Sequence, residues 1–174
     1  YKDIKEVYQS IIGEGKNHNL SHCGSHAMDT MRMESGFLHW GHDISPEENQ
    51  YEAGLDFTIS YKKKTNFIGQ KSLSKIKDLK LNKRFIMLSL KESNPGYPLL
   101  LHEEPIYLDD KIIGRTTSGN YSFNYKKNLS FGYVDSIYSN QELAKFNLYI
   151  EVAKKKYPVI VEINPLKNKQ ARLL

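Results

Sequence analysis

The chain has 174 residues, 39% hydrophobic and 26% charged, enough for one average domain or two small ones with modest cores, and its aromatic content argues against disorder. The net charge is +5, but Arg32, Arg84, Arg115 and Arg172 are the only arginines, so lysine supplies nearly all of the positive charge. Lysine lacks the bidentate fork that reads phosphates and base edges, which argues against a nucleic-acid partner.

The single cysteine, Cys23, excludes an internal disulfide and a Cys-based zinc site, and it fits a reducing, cytoplasmic setting. No apolar run approaches the ~18 residues a membrane span needs. The start at Tyr1-Lys2-Asp3-Ile4 has neither an initiator Met nor a signal peptide, and is expected to be a cut inside a longer chain.

Ile4, Val7, Tyr8 and Ile11 share one helical face over residues 3–12, with Asp3 as N-cap, Glu6 three residues on, and Gly13-Glu14-Gly15 as the stop. Residues 16–24 read as a polar loop. A second helix is predicted from Ser25 to Ser35, ended by Gly36, with Ala27, Met28 and Met31 as its apolar stripe and Met33 pointing elsewhere. Asp43, Glu47 and Glu48 read as a solvated acidic turn. Leu55, Phe57, Ile59 and Tyr61 alternate, predicting a strand over 55–61. A short helix follows near 69–78, with Leu73 and Ile76 inward.

From Arg84 the pattern turns to short strands. Phe85 to Leu90 is one. Ile106 to Leu108 and Lys111 to Ile113 flank Asp109-Asp110 in a hairpin. Thr116 to Phe123 and Leu129 to Val134 are two more. Phe146 to Val152 and Tyr157 to Ile163 form a second hairpin. Turns every 8–12 residues predict a closed or nearly closed antiparallel β-barrel, with the boundary between the two parts at 79–83.

The chemistry-bearing residues each have a plain reading. His18, His22 and His26 stand four apart, but Asn17, Asn19 and Gly24 break the continuous helix a metal ladder needs, so surface-loop histidines are favoured. His39 and His42 flank Trp40-Gly41 and either bracket a ligand or sit partly buried as structural histidines. Cys23 lies near His22 and His26, yet nothing in the sequence orients a thiolate, so a structural thiol is favoured. Composition and spacing stop at a soluble α+β piece with a small barrel.

A longer pattern goes further. Arg32-Met33-Glu34-Ser35-Gly36 leads into Trp40-Gly41-His42-Asp43-Ile44, Tyr51-Glu52-Ala53-Gly54-Leu55-Asp56-Phe57 and Asn66 to Leu73. Gly96-Tyr97-Pro98, Ile113 to Gly119, Lys127 to Val134 and Tyr157-Pro158 follow in order. This succession resembles the folate-dependent aminomethyltransferase family, which comprises the T-protein of the glycine cleavage system and the C-terminal half of dimethylglycine and sarcosine dehydrogenases. Met28 stands where the T-protein has a folate-contacting Arg. Together with His39-Trp40-Gly41-His42-Asp43-Ile44-Ser45, this makes the dehydrogenase branch the closer match.

The resemblance implies an α+β fold. Residues 1–79 would be the C-terminal portion of the aminomethyltransferase folate-binding region, and residues 80–174 a small antiparallel Greek-key β-barrel domain. It implies a ring of small domains around a folate pocket, tetrahydrofolate as cofactor, and FAD only if a dehydrogenase domain lies upstream. Its partners would be the remainder of its own chain and a small N-methyl amine or aminomethyl donor, with no nucleic acid and no membrane. The reactive Asp and the Y-x-G-E motif of the family belong upstream of Tyr1, so no catalytic residue is expected here and the isolated chain should not turn over. Phe57 matches an aromatic that packs on folate in relatives, with a core phenylalanine as the alternative. Trp40 matches the aromatic before Gly and would line the same pocket, and Met28 would pack near the cofactor. Arg32 and Glu34 are expected to lock their helix to its neighbours, and Thr117-Ser118-Gly119 to be a packing turn. Three other readings compete: a non-enzymatic folate-binding scaffold of the same fold, a folate-dependent sulfur-compound demethylase, and a basic nucleic-acid binder.

Overall fold

The computed structural model describes residues 2–162. The helical part opens with α1 (Ile4–Gly15) and α2 (Ser25–Glu34), followed by α3 (Gln70–Ile76). The rest is the predicted barrel: β1 (Lys83–Leu90), β2 (Pro105–Leu108), β3 (Lys111–Ser122), β4 (Lys127–Asp135), a one-turn helix α4 (Asn140–Leu143), β5 (Leu148–Val152) and β6 (Lys155–Glu162). Ile163 and the remainder of the predicted barrel domain to residue 174 lie outside the described residues.

The strands close in the order β1-β4-β3-β2-β5-β6, every pair antiparallel. β2, β3 and β4 run as consecutive neighbours and β1 lies against β4, which is a Greek-key connection. Closure removes the exposed edges that would otherwise template aggregation. Inside, Ile86, Leu88, Leu90, Leu100, Ile106, Leu148 and Ile150 are buried in one core. A second cluster joins Met33 of α2 to Met87, Leu129 and Phe131 on the barrel wall.

Several local expectations change. Asp3 precedes α1, but its side chain makes no capping bond. The helix passes Gly13 and runs to Gly15, where a Cβ would meet Leu20 at 2.4 Å; the chain turns back on itself there. α2 ends as predicted: Gly36 takes φ +75°, and Phe37 N–H and Gly36 N–H donate to Arg32 and Met33 carbonyls at 2.8 and 3.1 Å, a Schellman closure. The predicted stripe on α2 is wrong by one face. Met28 and Met31 are exposed, and Met33 is 1% exposed against the barrel.

Residues 55–61 are not a strand. Asp56–Thr58 is a 3-10 turn, with Ile59 N–H donating to Asp56 O at 3.0 Å. Alternation alone cannot form a strand; a partner edge is needed, and the barrel's strands pair among themselves. Lys111 to Ile113 and Thr116 to Ser122 are one strand, kinked by a bulge between Thr116 and Ser118. Gly114 permits this crossing, since a Cβ there would stand 2.0 Å from Tyr133 O. The sequence reading overlooked α4, which Ser139 and Glu142 close with a reciprocal capping box.

The helical part is fixed to the barrel by charge. Asp43, 1% exposed, accepts four hydrogen bonds: Arg32 Nη1 at 2.7 Å, His39 N–H at 2.8 Å, Thr117 Oγ1 at 2.6 Å and Ser118 Oγ at 2.7 Å. Arg32 also donates through Nη2 to Ser118 Oγ at 2.9 Å and through Nε to Asp29 at 3.0 Å. Two residues along, Glu34 accepts from Ser122 Oγ at 2.5 Å and Asn124 Nδ2 at 2.6 Å. Arg32 and Glu34 thus lock α2 to its neighbours as expected. Asp43 is no solvated turn residue, and Ser118 is a partner of that lock.

Glu48, read from sequence as solvated, is a second tie. Its carboxylate takes Ser45 N–H and Oγ at 2.7 Å each and pairs with Lys83 at the start of β1. Burial pushes the Glu48 carboxyl up, and the hydrogen bonds from Lys83 and Ser45 outweigh it and hold the group below its usual range.

Two outcomes follow for stability. Asp43→Ala removes the one buried acceptor shared by Arg32, His39 N–H, Thr117 and Ser118 and is expected to cost about 3–5 kcal/mol in urea unfolding, with strong non-additivity against Ser118→Ala. A carboxyl whose folded pKa is depressed stabilises fully above its ordinary pKa near 4.5 and loses that contribution as pH falls through the folded value. Thermal melts from ~pH 6 down to ~pH 3 should therefore show a shallower acid loss in Lys83→Met than in the parent chain.

Candidate functional site

The 3-10 turn Asp56–Thr58 holds Phe57 out from the molecular body at 79% exposure. Phe57 is therefore not a core strand phenylalanine. It lines a cavity of about 480 Å³ with Phe37, Leu38, Leu55, Phe85, Met87 and Phe131 among its neighbours. That size lies within the range of small-molecule pockets. The deeper wall is the barrel: Phe85 meets Phe131 edge-on, centroids 5.2 Å apart. Asn140, at the start of α4, and Glu162, at the end of β6, supply the polar side. Asn140 Oδ1 is buried with no hydrogen-bond partner among the described residues. Glu162 is already held, accepting from Ser89 Oγ at 2.6 Å and lying 3.5 Å from Lys127 Nζ.

Trp40 and Met28 do not line this cavity. Trp40 is 63% exposed at a turn closed by Gly41 N–H donating to Ile44 O at 2.7 Å, and Met28 is 57% exposed on the outer face of α2. The described residues leave three large apolar side chains facing out from separate elements rather than converging on one enclosed space.

The histidines fall into two groups. His18, His22 and His26 are exposed, and His22 Nε2 lies 3.3 Å from Tyr8 Oη. His39 and His42 are exposed, not partly buried, with rings stacked at 4.7 Å. With His26, Arg32 and His102 they line a cleft of about 200 Å³. Among the described residues no three His, Cys, Asp or Glu side chains are gathered to hold a metal ion. Cys23 is exposed, which corrects the structural-thiol reading.

A larger cleft, about 640 Å³, runs along the lock between loop and barrel and is lined by charge: Asp43, Glu47, Glu48, Glu103, Lys83 and Arg115. Tyr133 stands in its wall with its hydroxyl buried and unpartnered among the described residues. Burial, then the nearby Glu48, Asp43 and Glu52 carboxylates, push the Tyr133 phenol up, so it stays neutral. Asp43 is taken by the lock, Glu48 by Lys83 and Glu103 by Arg115, so this cleft reads as structure. Asp43, Ser118 and Asn140 had no sequence signal of their own: each gains its role from a partner more than 70 residues away or from a cavity wall.

Residues 1–63 match the family model described as the GCVT N-terminal domain, and residues 83–166 match the glycine cleavage T-protein C-terminal barrel domain. The human mitochondrial dimethylglycine dehydrogenase is 31% identical over 165 residues, covering 95% of this chain and 18% of its own. The aminomethyltransferase of Listeria welshimeri is 33% identical over 143 residues, covering 81% of this chain and 37% of its own. The crystal structure of the glycine cleavage system aminomethyltransferase T from Bartonella henselae matches with a TM-score of 0.77 at 19% identity, over 94% of this chain and 44% of that one, a likeness of fold. The chain thus spans less than half the length of each of these relatives. No helix among the described residues is long and apolar enough to cross a membrane. With its helical part and its barrel each matched, in order, the chain belongs to the glycine cleavage T-protein family.

Proposed function

We propose that this chain is the rear share of a tetrahydrofolate-dependent aminomethyl or one-carbon transferase acting on an N-methyl amine such as dimethylglycine or sarcosine. The observation that carries this reading is Phe57: a flat ring, exposed on a rigid turn, beside an apolar cavity of ligand size. The family relatives named as dimethylglycine dehydrogenase and aminomethyltransferase support the same chemistry.

The residues present fit a pterin. Phe57 offers a stacking face, and Leu38, Phe85, Met87 and Phe131 exclude water behind it. Asn140 Oδ1, without a partner among the described residues, is an acceptor suited to the N–H groups on a pterin edge. Tetrahydrofolate, when bound, supplies the nitrogens that accept the one-carbon unit. The chain's own part is to hold that ring flat, keep the cavity dry and fix the wall against the barrel through Arg32 and Asp43. Trp40 and Met28, exposed outside this cavity, reach the cofactor only through surface that the remainder of the parent protein adds over them. The reactive carboxylate belongs to that remainder. FAD enters only where the parent carries a dehydrogenase domain.

Two measurements test this. The 174-residue chain, mixed with tetrahydrofolate and dimethylglycine or sarcosine, with formaldehyde as donor control, should form methylenetetrahydrofolate no faster than the uncatalysed reaction. In the parent protein, Phe57→Ala should raise the Kd for tetrahydrofolate about tenfold, roughly 1.4 kcal/mol, while Phe57→Trp keeps it. An unchanged Kd in Phe57→Ala would remove Phe57 from the pocket and this reading with it.

A further inference from the structure

On the other side of the Phe57 turn lies a separate cleft of about 400 Å³, lined by Tyr51, Asp56, Lys77, Leu79, Lys80, Leu81, Arg84 and Ser136. Asp56 faces it from the same 3-10 turn that lifts Phe57 toward the apolar cavity. Three cations and one carboxylate share this lining.

The cations are not spoken for. Arg84 Nε is buried and has no hydrogen-bond partner among the described residues. Glu142, which feels the Arg84 charge, spends its carboxylate on Ser139 N–H and Oγ at 2.7 Å each. Lys77 Nζ rests 5.8 Å over the Tyr61 ring and has no carboxylate within ion-pair reach among the described residues, and neither has Lys80. Tyr51 adds no negative charge: its hydrogen bond with Tyr61 at 2.7 Å, helped by burial and by Asp56 and Asp78, pushes its pKa up to about 12. A buried guanidinium N–H left unpaired is costly, and Arg32 by contrast is satisfied by Asp29, Asp43, Ser118 and the Phe37 carbonyl.

We propose that this cleft is a binding site for a multivalent anion, whose carboxylate or phosphate oxygens are taken by Arg84 with Lys80 and Lys77 closing around them. Arg84 projects from the first part of β1, paired there with Val134 of β4, so the guanidinium is carried by the barrel while the lysines reach in from the end of α3 and the link after it. A planar guanidinium presents two parallel N–H donors to one carboxylate or phosphate, and the lysines add point charge. The hydroxyls of Ser136 and Tyr51 sit at the same rim, although Ser136 Oγ already donates to the Leu81 carbonyl. The site does not depend on folate binding beside Phe57; either holds without the other.

The test is titration of the full 174-residue chain with citrate, as a polycarboxylate, and with pyrophosphate, followed by isothermal calorimetry and amide shifts at low ionic strength. Saturable binding of at least one anion is expected, with shifts centred on residues 77–84. The tighter anion identifies the source of the ligand chemistry. Arg84→Gln should weaken binding at least tenfold, Lys80→Gln severalfold, and Lys154→Gln, on the far β5–β6 turn, not at all. Lys80 is exposed and its substitution leaves folding intact, so the Lys80 result decides should Arg84→Gln unfold. Failure of both anions to saturate, or equal binding by the Arg84, Lys80 and Lys154 variants, overturns the site without touching the assignment at Phe57.

Discussion

One buried carboxylate holds the two parts of this molecule in register. Asp43 gathers a guanidinium from α2, a backbone N–H from its own loop and two hydroxyls from β3. A buried charge is tolerated only when its lone pairs are met, and here four donors meet them. The consequence reaches past stability. The lock fixes the angle at which α2 leaves the barrel and the path of the loop from Phe37 to Ile44. It thereby sets where Trp40, Met33 and the wall of the Phe57 cavity stand. The four donors come from three different parts of the chain, so the geometry can form only when helix, loop and strand have all arrived.

The packing is consistent with that order of importance. Met33 turns inward beside Arg32 and joins Leu129 and Phe131, so the apolar contact and the ionic one lie on adjacent residues of the same helix. Glu34 repeats the device one residue on, tying to Ser122 and Asn124 just past the kink of β3. The bulge between Thr116 and Ser118 is what allows the hydroxyls of both Thr117 and Ser118 to meet one Asp43 oxygen; in an unbroken strand successive side chains point to opposite faces. A local irregularity of the barrel is therefore part of the joint rather than a defect of the sheet.

The barrel was legible in the residues because its signals are local. Asp109-Asp110 and Ala153-Lys154 sit at tight turns with positive φ at Asp109, Ala153 and Lys154, between runs of alternating or β-branched residues. The Schellman close of α2 at Gly36 was legible for the same reason. What failed was whatever depended on a distant partner. Residues 55–61 alternate as a strand would, but no strand offers them an edge, and the segment coils into the turn that presents Phe57. Asp43 read as solvent-facing because its neighbours in sequence are polar, while its partners Thr117 and Ser118 lie more than 70 residues away. The family pattern named Arg32 and Glu34 as a lock without being able to say what they locked to.

The division of labour across the Phe57 turn follows from where the polar groups are satisfied. On one side the wall is hydrocarbon and aromatic, with an acceptor at Asn140 that has no partner among the described residues. On the other the wall is cationic, with a donor at Arg84 that has none among them either. Folding normally leaves neither kind of group unmet, and this chain meets them almost everywhere else that they are buried. Orphans of opposite hydrogen-bonding sense, in cavities on either side of one exposed aromatic, mark the places where the energy of the fold was left open to a ligand. The charged cleft beside Tyr133 differs in its ions, since Asp43 is spent on the lock, Glu48 on Lys83 and Glu103 on Arg115, and the orphan in its wall is a neutral phenol hydroxyl.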